Sequence, residues 1–283
     1  MKIGTRGWIH HKNLIGIQLM NAENSDIHFS LEIDQTEECD YLMVTDSSSA
    51  NGNFSKGVIY GPHIDLRSSE YSNINNNPHT YVNFLSPWNK LLGDILYPGK
   101  NIINLPFPVD INKFQPAEKN GEPVIYFKRR DRSILDRFLE YMGGNSYRIF
   151  DYSSGYNEDD FKESVAKAPY CVWIGCHESQ GFALQETLSS DTPIFIIDVK
   201  SLRDEIGGGW DNWMTEIDLK ATSASYFDHT CGIITGPESL GTSEFGLEFN
   251  SFIGNLDKFK PRDFIIENLS PDACIKKWLN KLS

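Results

Sequence analysis

Long hydrophobic runs are absent from this 283-residue chain. No stretch reaches the roughly 18 consecutive apolar residues that a membrane-crossing helix needs, and the opening Met1-Lys2-Ile3-Gly4 has no apolar leader core behind it. A cytoplasmic location with no transmembrane segment is the expectation. Positive charge is also scarce: 26 Lys and Arg stand against 39 Asp and Glu, a net charge of −13. General nucleic-acid binding needs a basic surface to displace counterions, so no nucleic-acid partner is expected. Cysteine is sparse and odd in number. Cys39, Cys171, Cys176, Cys231 and Cys274 are widely spaced, and several lie in or beside apolar strand-like runs. Reduced, mostly buried thiols account for them better than a disulfide framework. Cys171, Cys176 and His177 form a C-x4-C-H with no second pair, too little for a zinc site, so no metal is expected. No G-x-G-x-x-G follows a strand near the start of either half, which argues against a Rossmann dehydrogenase.

What is present is a folded, aromatic-rich chain. Forty per cent hydrophobic residues, with twelve Tyr, seventeen Phe and six Trp, exclude a disordered polymer. The length exceeds one ordinary domain and divides naturally into two of about 110 to 150 residues. In the first half, a strand opening at Lys2-Ile3 and ending at Gly4-Thr5-Arg6-Gly7 precedes a helix over 10–20. Strands are expected over 40–45, 58–60, 81–85 and 101–105, with a helix over 89–96. In the second half, strands over 124–127, 147–150, 171–174, 194–197 and 232–235 alternate with helices over 134–141, 158–168 and 182–189. Alternation with continuously apolar strands is the pattern of parallel sheets covered on both faces, so two Rossmann-like domains are expected. The boundary falls in the proline-interrupted stretch between Pro106 and Pro123. A final amphipathic run over 273–282, with Ile275, Trp278, Leu279 and Leu282 at helical spacing, is a terminal helix.

The segment His177-Glu178-Ser179-Gln180-Gly181-Phe182-Ala183-Leu184-Gln185-Glu186 sits between two strand-like runs and leads to Thr192-Pro193. Its helix begins near Phe182, so two carboxylates flank a helix start whose amides suit an anion. Carboxylates accept hydrogen bonds from hydroxyls, and such a site fits a phosphate between two polyhydroxylated rings, as in a nucleotide-sugar. The bland alternative is two solvated glutamates around an ordinary helix. The segment resembles the E-x7-E donor motif of GT-B glycosyltransferases. Gly181 holds that motif's second glycine, while Ser179 and Gln180 stand where its common form has Gly-Phe. Pro106-Phe107-Pro108-Val109-Asp110 through Phe114 and Pro116 resembles the linker joining the two halves of these enzymes, with Pro108 in place of a glycine.

The resemblance implies an α/β fold of two Rossmann-like domains facing a central cleft. It places an acceptor-side domain over 1–110, to which a helix over 273–283 returns, and a nucleotide-sugar-binding domain over 111–272. It implies Glu178 at the donor sugar, Glu186 at the ribose, Gly181 and Phe182 in the donor loop, a UDP- or GDP-linked donor with no other cofactor, and metal-independent chemistry. The partners implied are the nucleotide-sugar donor and a glycan or glycoprotein acceptor. Compact enzymes of this type occur in large DNA viruses, where they build capsid glycans.

A diphosphate leaving group needs positive charge or aligned amides as its bond breaks. Lys128, Arg129, Arg130 and Arg132 follow the strand over 124–127, and strand alternation favours Lys128 with Arg130; a solvated basic turn is the alternative. Gly4 and Gly7 follow the first strand and would let backbone approach the donor phosphate. A base for an inverting reaction would come from His63, Asp46 or Asp65, each after a strand of the first domain; His10 and His11 are weaker candidates. A retaining reaction needs no protein base, because the departing phosphate itself assists. Two other readings stay open: a non-catalytic nucleotide- or sugar-binding protein of the same fold, and a GT-B-type sugar-nucleotide epimerase.

Overall fold

The computed structural model describes residues 1–23, 26–45, 50, 52–62, 74, 77–204 and 220–283. The chain divides into two compact units, one of Met1–Asp110 with Asn268–Ser283 and the other of Ile111–Glu267.

The first unit is built on six parallel strands, β1 (Lys2–Arg6), β2 (His28–Ser30), β3 (Cys39–Val44), β4 (Phe54–Tyr60), β5 (Thr80–Phe84) and β6 (Ile102–Asn104). Their order is β2-β1-β3-β4-β5-β6. The winding therefore reverses between β1 and β3, the position at which open α/β sheets bind ligands beyond their carboxyl ends. Strand β1 runs on through Gly4 and Thr5 and ends at Arg6, within the stretch where its end is expected. Helix α1 (His11–Ala22) opens with the His10 side chain accepting from the Lys12 amide, and α2 (Pro87–Leu96) starts on a proline, whose missing N–H costs nothing there. Leu42, Val44, Val58 and Val82 form the centre of one core layer. The chain's last helix, α8 (Pro271–Leu282), belongs to this unit because its apolar stripe is used here. Trp278 is fully buried at 5.1 Å from the Phe29 ring, and its indole N–H donates to the Pro106 carbonyl at 3.0 Å. The Tyr41 hydroxyl donates to the Leu282 carbonyl at 3.0 Å. Truncating Trp278 to alanine should cost about 3–5 kcal/mol, the range for a buried aromatic.

The second unit has five parallel strands, β7 (Val124–Phe127), β8 (Arg148–Asp151), β9 (Cys171–Ile174), β10 (Ile194–Ile197) and β11 (Gly232–Thr235), in the order β11-β10-β9-β7-β8. Strands β7, β9 and β10 are apolar along their whole length and buried at every residue, as central strands covered on both faces must be. Tyr126 and Trp173 stack across the β7–β9 pair with ring centroids 3.9 Å apart. Helices α3 (Arg132–Tyr141), α4 (Glu158–Lys167), α5 (Phe182–Ser189) and α6 (Ser243–Ile253) belong to this unit, and α7 (Pro261–Leu269) begins in it and ends past its boundary at Glu267. Phe245, Phe249 and Phe252 line one face of α6 and pack around Phe195 of β10. All five cysteines are free and buried. Burial raises the thiol pKa of Cys231 and Cys274 to about 12, so these two are inert at neutral pH.

Candidate functional site

The winding of the second sheet reverses between β7 and β9, because β8 lies on the far side of β7. Lys128 follows β7 and Glu178 follows β9, so the reversal brings them to one edge. The Lys128 ammonium donates to Glu178 Oε1 at 2.7 Å, with both side chains 14% exposed. Burial alone pulls the Lys128 pKa down, but the charge of Glu178 and the hydrogen bond to it outweigh burial and leave the value above the ordinary one. Lys128 is therefore a firm cation at neutral pH. Its Nζ lies 4.6 Å from the centre of the Tyr152 ring, and the Arg129 guanidinium lies 5.5 Å from the same ring. One aromatic ring thus gathers two cations. Arg129 makes no hydrogen bond or ion pair among the described residues, and its backbone sits at φ +50°, a sparsely populated conformation for a side-chain-bearing residue.

Strand alternation pairs Lys128 with Arg130, and here the geometry differs. β7 ends at Phe127, so alternation does not extend to these residues. Arg130 is 3% exposed and donates to the carbonyls of Gly175, Ile197 and Asp198, tying together the ends of β9 and β10. Arg132 enters α3 and pairs with Asp136 at 3.0 Å. Lys128 and Arg129 are the cations that stand together.

The helix after Glu178 starts without a side-chain cap. Gly181 supplies the turn at φ +82°, and a Cβ there would lie 3.3 Å from the Glu178 Cβ. The first-turn amides, beginning with partly exposed Phe182 and Ala183, have no capping side chain, the condition under which a helix start takes an anion. Gln180 occupies an interior position, 1% exposed, with its amide nitrogen 3.2 Å from Gln185 Oε1, while the Gln185 amide donates back to the Gln180 carbonyl at 2.5 Å. This reciprocal clasp explains how a polar residue fills a buried place in the loop. Glu186 lies one turn inside α5 and is 6% exposed.

A second loop completes the edge. Asp198, at the end of β10, accepts from the Thr222 hydroxyl at 2.6 Å and from the Ser223 amide at 2.7 Å and hydroxyl at 2.8 Å. Ser225 then donates to the Glu178 carbonyl at 2.6 Å, so this loop braces the glutamate's backbone. Tyr152, Asp198 and Ser225 escape a sequence reading; their one available signal is that Tyr152 and Asp198 follow strands and so share the carboxyl edge.

In the first unit, Gly4 lies inside β1, where a Cβ would come within 2.0 Å of the Ile33 side chain. It is a packing glycine of the strand and not part of the turn. Gly7 makes that turn at φ +87°. Asp46, His63 and Asp65 fall outside the described residues. Among the described residues, no three His, Cys, Asp or Glu side chains gather as metal ligands would, and no helix is long and apolar enough to cross a membrane.

No protein-family model matches the chain, and neither does any curated protein sequence. Solved structures do. The chain matches sucrose-phosphate synthase from Thermosynechococcus elongatus at 10% identity and a TM-score of 0.58, over 99% of this chain and 98% of that one. It matches the lipopolysaccharide outer core galactosyltransferase WaaB at 12% identity with the same TM-score and the same two coverages. The fold is that of the GT-B glycosyltransferases. A third match is a point mutant of S. aureus TarM, solved with fondaparinux, alpha-GlcNAc-glycerol and UDP, at 14% identity and a TM-score of 0.54. It covers 86% of this chain, which spans only 55% of TarM. With this fold, the candidate site lies at the sheet edge where open α/β folds take ligands.

Proposed function

We propose that this protein is a glycosyltransferase that moves a sugar from a nucleotide-sugar donor to a hydroxyl of a glycan or other acceptor, without a metal. The observation that carries the reading is the gathering of Glu178, Lys128 and Arg129 at the switch point, beside the uncapped start of α5. The likeness to a structure solved as a galactosyltransferase, and to one solved with UDP and sugars bound, supports the same class.

In this reading the donor diphosphate lies against the first-turn amides of α5 and the cations of Lys128 and Arg129. As the bond from the sugar to the phosphate oxygen breaks, negative charge grows on that oxygen, and these groups stabilise it. Glu178 accepts hydrogen bonds from hydroxyls of the transferred sugar, and Glu186 from those of the ribose. Lys128 is shared between Glu178 and the phosphate, so it orients the carboxylate while answering the leaving group.

The test is a melting-temperature screen with UDP, GDP, ADP and their common sugars, since a ligand that binds only the folded state raises the transition. A shift with one nucleotide family is expected. No shift with any of them would overturn the donor site. Release of free nucleotide from the matching nucleotide-sugar, faster with an acceptor present, then separates a transferase from a silent binding protein, and donor conversion without any acceptor would point to an epimerase.

A further inference from the structure

We propose that Trp8, flanked by His10 and His11, is a carbohydrate-stacking platform on the first unit, and that its ligand is a pyranose ring. The inference rests on the glycosyl-transfer reading only in making that ring part of the acceptor. Trp8 is 68% exposed, whereas the other tryptophans among the described residues, Trp88, Trp173 and Trp278, are all buried. A loose loop does not account for the exposure. Gly7 turns the chain sharply at the end of β1, and Ile9 anchors the next residue in the core, so the indole is presented from a segment fixed on both sides.

Its location gives the exposure meaning. Trp8 lies two residues beyond β1, at the reversal between β1 and β3, where this unit's own ligand edge is. The His10 ring meets the indole edge-on, with centroids 5.9 Å apart and planes at 83°, and His11 lies 4.3 Å beyond. His10 Nδ1 accepts from the Lys12 amide at 3.3 Å, which fixes the orientation of the imidazole beside the indole. An aromatic face for C–H groups beside imidazoles for hydroxyls is what one face and one rim of a sugar require. A phosphate is poorly served here: the guanidinium of Arg6, which closes β1, is turned to the main-chain carbonyls of Ile33 and Asp34. The chemistry therefore favours a neutral polyhydroxylated ring over a nucleotide.

The experiment is saturation-transfer NMR on the full chain with the methyl glycosides of glucose, galactose, mannose and N-acetylglucosamine, and with UDP as the competing probe. Saturation should reach the ring-face protons of at least one glycoside, fall about fivefold or more in Trp8→Ala, and persist in Trp8→Phe. An unchanged melting temperature of Trp8→Ala is expected for so exposed a side chain and confirms that the variant folds. The proposal is overturned if no glycoside is saturated, if Trp8→Ala behaves as wild type, or if the substitution removes saturation of the UDP base instead. The UDP and GDP melting shifts test the other unit separately, so loss of the donor reading and loss of this platform are distinguishable.

Discussion

The Lys128 ammonium and the Glu178 carboxylate meet at 2.7 Å across the point where the second sheet reverses its winding. A charged hydrogen bond of this kind is worth about 1.5–3 kcal/mol, so each partner holds the other's orientation before any ligand arrives. Lys128→Met should weaken UDP or GDP binding about tenfold, equivalent to about 1.4 kcal/mol. Glu178→Gln should lower turnover more than nucleotide affinity. Because the Lys128 pKa is raised above its ordinary 10.5, its charge is fully present below that value and is lost only as pH rises through the folded one. The share of nucleotide affinity that Lys128 contributes should stay flat from about pH 6 to about pH 9. Calorimetric titration of wild type and the two variants across that range, with steady-state rates for Glu178→Gln, checks both points, and a Lys128 contribution that falls within it would argue against the pairing.

Glu186 is a nearly buried carboxylate one turn inside α5. If it accepts from ribose hydroxyls, the site should hold a nucleotide that lacks one less tightly, since a site built to hydrogen-bond a hydroxyl loses that bond with the analogue. Wild type should bind UDP about tenfold more tightly than 2′-deoxy-UDP, and Glu186→Ala should weaken UDP while narrowing that ratio toward one. Equal discrimination by both proteins would remove Glu186 from the ribose.

Gly181 combines a left-handed turn with contact on the Glu178 side chain, whereas Gly155 has a similar φ of +74° and open space around it. Both alanine substitutions should cost about 1–2 kcal/mol from backbone strain. Only Gly181→Ala should also displace Glu178 and reduce turnover. Urea unfolding and steady-state rates for the two variants separate strain from site geometry, and equal loss of activity in both would show that the contact does not matter.

The fold class is readable from the chain because β7, β9 and β10 are continuous apolar runs separated by helical periods. β2 is not, since its three residues are held by tertiary bonds: the Asn21 side chain donates to the Phe29 carbonyl and accepts from the Phe29 amide, both at 2.8 Å. Helix α6 carries a signal that a strand-centred reading passes over, with Thr242 as its cap and phenylalanines at 245, 249 and 252. At the site, the two glutamates and the glycine are visible in the motif. The partnership of Lys128 with Arg129 is not, because it depends on β7 stopping at Phe127 and on an unusual backbone turn at Arg129 that no local propensity marks. The Gln180–Gln185 clasp is hidden for a similar reason: a polar side chain in a loop and another in the first turn of the helix look solvated until the fold buries them together.

Lys119 links the site's helix to its surroundings from the opposite end. Its ammonium donates to the Ala166 carbonyl at 3.0 Å, the Ser190 carbonyl at 2.8 Å and the Thr192 hydroxyl at 2.6 Å, near the ends of α4 and α5. Burial draws its pKa down from 10.5 to about 8. Between these values the unfolded chain binds more protons than the folded one, so this residue makes stability rise with pH from about 8 to about 10.5. Below that window the cost of burying the charge is fully present, and the three acceptors offset it. Lys119→Met removes the titration and leaves those oxygens without their donor. It should therefore be less stable than wild type at pH 7, with the gap widening toward pH 10 as wild type gains and the variant does not. Urea unfolding of both proteins at the two pH values measures the change, and a gap independent of pH would show that Lys119 keeps an ordinary pKa in the folded chain.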